Sequence, residues 1–169
     1  MDGTEAMMAE VEGFAQVERA YLQRFVRGFD WRQFEEPSPR HRLSVPLERA
    51  TVALVGTGGA RTEEQPAFAV ARRGDPSYRV IPAGAPPERL RFNHVGYNVR
   101  TAYADPDCVY PLALLRAYVD EGRIGRLAAS AYSTMGYATQ TDTLLDETGP
   151  AIARGLLAEG VDLAVLVPT

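Results

Sequence analysis

Gly160-Val161-Asp162-Leu163-Ala164-Val165-Leu166-Val167-Pro168-Thr169 is the stretch on which the fold turns. Between Val161 and Val167 only Asp162 interrupts an apolar run. A short run of this kind, rich in Val and Leu and preceded by a glycine, fits a strand buried on both faces of a parallel sheet with helices above and below. Open α/β sheets place ligands just past the carboxyl ends of such strands, here at Pro168 and Thr169.

Outward from this strand, helices and strands alternate. Ile152, Leu156 and Leu157 give the apolar face of a helix that starts at Gly149-Pro150 and stops at Gly160, and residues 143–148 also read as helical. Residues 127–132 predict a strand that delivers Ser133-Thr134-Met135-Gly136 to a loop. Before it, Leu112, Leu115, Tyr118 and Val119 face one side of a helix capped by Asp107, opened near Pro111 and stopped at Gly122. Residues 50–55 form the first strong strand and run into Gly56-Thr57-Gly58-Gly59. Residues 78–81 and 90–95 predict shorter strands, followed by a polar loop through Asn98, Arg100, Tyr103 and Asp105. The alternation predicts an α/β fold, a Rossmann-like, mostly parallel sheet flanked by helices.

Toward the N-terminus, Phe14, Tyr21, Leu22, Phe25, Val26 and Phe29 recur at helical spacing, which predicts an amphipathic helical arm over residues 9–28. Phe29, Trp31 and Phe34 are expected to pack that helix onto the body. Glu36-Pro37-Ser38-Pro39 and Val45-Pro46 read as an extended connector. The expected division is therefore residues 1–49, helix and connector, and residues 50–169, the α/β domain.

Composition narrows the chemistry. A chain of 169 residues with 46% hydrophobic residues is long enough for one real core. A net charge of -4 gives no electrostatic case for nucleic acid or an anionic membrane. All 18 basic residues are Arg, which removes Schiff-base chemistry and a P-loop lysine. No apolar run is long enough to span a bilayer, and the acidic start at Asp2, Glu5, Glu10 and Glu12 lacks the layout of a signal peptide, so a cytoplasmic location is expected. One cysteine, Cys108, permits no internal disulfide, and with two histidines it makes no convincing zinc set.

Within this frame His94 is the leading catalytic candidate, because an imidazole can protonate a leaving amine or orient a carboxylate near neutral pH. The alternative is a hydrogen-bonded packing histidine. Thr57, Gly58 and Gly59 could hold a substrate carboxylate through main-chain donors, with Ser133, Thr134 and Gly136 lining the opposite side. A plain turn is the competing reading of the glycines, and the dinucleotide fingerprint fails because its third glycine position is Arg61. Asp107 could meet an ammonium group or simply cap a helix, and Tyr97 and Tyr110 could reach the same cleft or pack. Cys108 reads as a small buried group rather than a nucleophile.

Several stretches taken together resemble the selenoprotein B family of glycine, sarcosine, betaine and D-proline reductases: Val52-Ala53-Leu54-Val55 with Thr57-Gly58-Gly59, Asp75-Pro76-Ser77-Tyr78-Arg79, Asn93-His94-Val95-Gly96-Tyr97, Val109-Tyr110-Pro111-Leu112, Tyr132-Ser133-Thr134-Met135-Gly136 and Pro150-Ala151-Ile152-Ala153-Arg154. The resemblance implies reductive cleavage of a carbon–nitrogen bond in an amino acid derivative, a small amino acid-derived substrate, other reductase subunits, and electrons from a thioredoxin-like dithiol donor. It also implies a selenocysteine or cysteine just after the strand that ends at Val167, whereas this sequence continues only through Pro168-Thr169. The expectation is a chain that stops before a UGA-encoded selenocysteine, with a naturally short paralogue as the competing explanation. No other cofactor is expected in the chain. The functional expectation is the N-terminal part of such a reductase, silent without its nucleophile; the alternative is a non-catalytic subunit that binds a small carboxylate or a partner.

Overall fold

Thr51-Val52-Ala53-Leu54-Val55-Gly56 supplies the best-buried strand of the protein, with Val52 and Leu54 each only 1% exposed. The computed structural model describes residues 3–31, 34–39, 41–71 and 73–169, with side chains from residue 13 onward. In chain order the elements are α1 (Gly3–Leu22), β1 (Thr51–Gly56), β2 (Ala60–Thr62), β3 (Tyr78–Pro82), β4 (Leu90–Phe92), α2 (Val99–Ala104), α3 (Leu112–Asp120), β5 (Arg126–Leu127), β6 (Ser130–Thr134), α4 (Thr141–Thr143), α5 (Gly149–Ala158) and β7 (Leu163–Val167). A π-helical turn, Leu144–Thr148, joins α4 to α5. Two compact units divide the chain, residues 1–41 and residues 42–169.

The second unit is built on β1. Its even-numbered carbonyls accept from β5 and the residue after it, Ala50 O from Arg126 N and Val52 O from Ala128 N, while Thr51 O accepts from Asp162 N on the β7 side. β5 and then β6 therefore run along one side of β1 and β7 along the other, all parallel to it. β3 closes the β6 flank antiparallel, with Tyr78 opposite Thr134. The sheet is thus mixed and mostly parallel. A separate antiparallel pair, β2 with β4, lies outside it. Ile81, Val52, Leu54 and Ala131 share a core with Leu112 and Leu115 of α3. On the opposite side of β6, the Tyr132 ring lies so close to α5 that a Cβ on Gly155 would clash with its hydroxyl. Helices thus pack on both faces, as an apolar sheet requires.

The reading of β7 as buried on both faces is corrected. Leu166 is 71% exposed and Leu163 is 38% exposed, because among the described residues β7 pairs with β1 alone and forms an edge. The doubly covered strand is β1. Other differences are local. The predicted strand over residues 127–132 is two pieces, β5 and β6, and the strand over residues 90–95 ends at Phe92. The stretch read as a polar loop contains α2, whose N-terminus is capped by Asn98 accepting from Arg100 N at 3.1 Å.

In the first unit, α-helical hydrogen bonding begins at Gly3 and gives way after Leu22 to turns that end at Gly28, where φ is +77°. Trp31 folds back onto α1, its indole N–H donating to Ala15 O at 3.0 Å and its ring meeting Phe29 edge-on. No described helix is long and apolar enough to cross a membrane.

Candidate active site

The carboxyl ends of three parallel strands meet at one place. Thr57 follows β1, Met135 and Gly136 follow β6, and Pro168 and Thr169 follow β7. The Thr57 hydroxyl oxygen accepts from Thr169 N at 2.8 Å, and Thr57 N donates to Val167 O at 3.0 Å. Gly59, at φ +65°, turns the chain so that its N–H donates to Thr134 O at 2.9 Å and its carbonyl accepts from Asn93 N at 3.0 Å. This last bond brings the segment after β4 across the strand ends.

His94 is the side chain that this crossing delivers. Gly96 N donates to its Nδ1 at 2.8 Å, so Nδ1 is the acceptor and the proton of the neutral ring sits on Nε2. Nε2 is buried and has no hydrogen-bond partner. Its direction is fixed by Gly136: a Cβ there would lie 2.9 Å from His94 Nε2, 2.8 Å from Thr169 O and 3.2 Å from Thr57 O. Glycine at 136 thus leaves room for the imidazole edge to pack against the strand ends. Burial pushes the His94 pKa below its ordinary 6.5, which keeps the ring neutral at pH 7.

Tyr97 holds the ring in place. The two rings stack with centroids 4.7 Å apart, and the Tyr97 hydroxyl donates to Gly58 O at 2.6 Å. Burial, with smaller contributions from Cys108 and Tyr103, raises the Tyr97 phenol to about 12, so it stays a donor. Cys108, which is exposed, therefore stands within electrostatic reach of this pair. It is not the buried group the sequence suggested.

The structure brings together His94, Thr57, Gly58, Gly59, Thr134 and Gly136. It does not bring the others. Ser133 is fully buried and its hydroxyl accepts from Ala60 N at 2.9 Å. Tyr110 is likewise fully buried, donating to Tyr132 O at 3.2 Å, with its phenol pushed far upward by burial. Asp107 caps α3, accepting from Ala113 N at 3.0 Å. The N–H groups of Thr57 and Gly59 are taken by Val167 O and Thr134 O, so neither is a free donor for a carboxylate. Among the described residues, His94 Nε2 is the buried side-chain polar atom left without a hydrogen-bond partner. Among the described residues, no group of three or more His, Cys, Asp and Glu could hold a metal ion. Sequence reasoning did not anticipate the Thr57–Thr169 clamp, since a hydroxyl acting on a neighbouring strand end leaves no local pattern.

The family model for glycine/sarcosine/betaine reductase selenoprotein B matches residues 17–169. D-proline reductase subunit gamma of Acetoanaerobium sticklandii is 37% identical over 124 residues, covering 73% of this chain and 50% of that protein. The betaine reductase complex component B subunit beta of Peptoclostridium acidaminophilum is 33% identical over 152 residues, 81% of this chain and 33% of the relative. The glycine reductase complex component B subunit gamma of Carboxydothermus hydrogenoformans is 32% identical over 126 residues, 73% of this chain and 29% of the relative. The chain spans half or less of the length of these relatives. No solved structure matches it significantly. With the match running through every strand of the sheet and through the His94 crossing, the chain belongs to the glycine/sarcosine/betaine reductase selenoprotein B family.

Proposed function

We propose that this chain forms the substrate-facing edge of a reductase that cleaves a carbon–nitrogen bond of an amino acid derivative with electrons from a dithiol donor. The observation that carries the reading is the buried, unpartnered His94 Nε2 at the ends of β1, β6 and β7. A neutral imidazole there offers one N–H to a substrate carboxylate or to the nitrogen that leaves. The selenol or thiol nucleophile, in this reading, is presented beside Thr169. The sheet is read as Rossmann-like, α1 as an arm for other subunits, and the electron donor as a thioredoxin-like protein.

A nucleophile supplied at Thr169 tests this. With a cysteine-bearing extension placed after Thr169 and excess dithiol, release of the nitrogen from the α-carbon is measured, as free ammonia or amine from glycine, sarcosine and betaine and as ring opening to a primary amine for D-proline. The expected result is release from at least one of them, falling about a hundredfold in His94→Gln, the size of a lost acid–base or orienting group. Release that is the same with and without His94, or none from any of the four, overturns it.

A further inference from the structure

A second concavity lies away from His94, between the start of β3 and the helical run through α4 and α5. Its volume is about 530 Å³, and Pro76, Tyr78, Asp146, Glu147, Ala151 and Arg154 are among its lining residues. Its two walls are tied together by the buried Thr148, whose hydroxyl donates to Pro76 O at 2.6 Å. The π-helical turn Leu144–Thr148 forms part of one wall, a local widening that turns side chains onto a new face and recurs at ligand sites.

The charges on this wall are exposed and of both signs. Among the described residues Arg154 forms no ion pair, and neither does Asp146 nor Glu147, although both signs line the same cavity. Spacing accounts for this. Arg154 follows Glu147 by seven residues, two helical turns, so their backbones stand about 10 Å apart along the helix. Opposite charges rooted at that backbone separation, with Pro76 and Ala151 lining the same cavity, match a molecule with its own charges several bonds apart.

We infer that this pocket is a binding site for an elongated small zwitterion, with its carboxylate on Arg154, its ammonium group on Asp146 and Glu147, and its aliphatic middle against Pro76 and Ala151. An α-amino acid, with both charges on neighbouring atoms, is too short to reach the two ends together. The site is independent of the reductase reading and stands or falls separately.

The probe is 6-aminohexanoate, with hexanoate and hexylammonium as isosteres lacking one charge and glycine as the short zwitterion. Binding to the full chain is followed by NMR. The expected result is saturable binding of 6-aminohexanoate with shifts centred on Tyr78, Thr148 and Ala151, and at least about tenfold weaker binding of the other three probes, one charged contact being lost each time. Arg154→Gln should weaken 6-aminohexanoate by a similar factor while leaving hexylammonium unchanged. Because Arg154 is exposed, the variant is expected to keep the wild-type spectrum elsewhere. No saturation, equal binding of hexanoate, or shifts centred on Gly58 and His94 would each overturn the assignment, and amine release in the cysteine-extended chain is unaffected by any of these.

Discussion

The hydroxyl oxygen of Thr57 accepts a hydrogen bond from the backbone N–H of Thr169 at 2.8 Å, joining the loop after β1 to the segment after β7. The bond is local and partly exposed, so its loss frees one strand end without loosening the sheet. Thr57→Val keeps the shape and removes the acceptor. The Thr169 amide should then exchange with solvent about fivefold faster, the equivalent of about 1 kcal/mol, while the midpoint of urea unfolding stays unchanged. Hydrogen exchange read at Thr169 checks it.

At the other end of the same strand pair, Asp162 Oδ2 accepts from Thr51 N at 2.8 Å and Asp162 N donates to Thr51 O at 2.9 Å. Thr51 is 4% exposed, so its N–H has no ready access to water. Asp162→Ala strands that donor and should cost about 1–3 kcal/mol in urea unfolding. Asp162→Asn keeps a side-chain acceptor and should cost less than half as much.

Tyr97 donates to Gly58 O at 2.6 Å and backs the His94 ring. Tyr97→Phe keeps the ring and removes the hydroxyl, leaving Gly58 O without this donor. Stability should fall by about 1 kcal/mol. In the wild-type protein one phenol, raised to about 12, should titrate late in an ultraviolet pH titration and disappear in the variant.

Burial holds the folded-state pKa of His94 below 6.5. As pH falls below 6.5 the unfolded chain takes up a proton at this position before the folded chain does, and unfolding becomes easier. The stabilisation from the neutral ring is therefore complete above pH 6.5 and lost as pH falls through the folded-state value. The His94 C2–H resonance should titrate with a midpoint below 6.5. In His94→Gln the corresponding slope of stability against pH in that window should vanish.

The strands of the sheet were legible because their apolar runs are local. β1, β3 and β7 all fall where Val, Ile, Leu and Tyr cluster between glycines and prolines, whereas β6, Ser130-Ala131-Tyr132-Ser133-Thr134, is only half covered by the reading over residues 127–132. The position of a strand in the sheet is not local, and Leu166 shows the difference: its neighbours in sequence are those of a buried residue, yet it is 71% exposed on a strand that, among the described residues, pairs with β1 alone. Val99–Ala104 was missed as a helix because it is only six residues long, although Asn98 before it was a usable cap signal. Of the candidate site, His94 and the glycines were visible as residue types. What was hidden is which polar groups are already satisfied: Ser133, Tyr110 and Asp107 looked as available in sequence as His94, and only the fold shows that Ala60 N, Tyr132 O and Ala113 N occupy them.

The sheet has two unlike margins. On the β3 side an antiparallel strand reverses the chain direction and brings Pro82 into the margin, a residue with no N–H to offer. On the β7 side the direction is that of β1, and Leu163 and Leu166, on opposite faces, are both exposed. The two margins therefore differ in direction and in donors, and the parallel one, β7, is the one that leads to Thr169. In this protein the border strand leads to Thr169, whose carbonyl and the His94 Nε2 both crowd the space that only a glycine at 136 leaves clear.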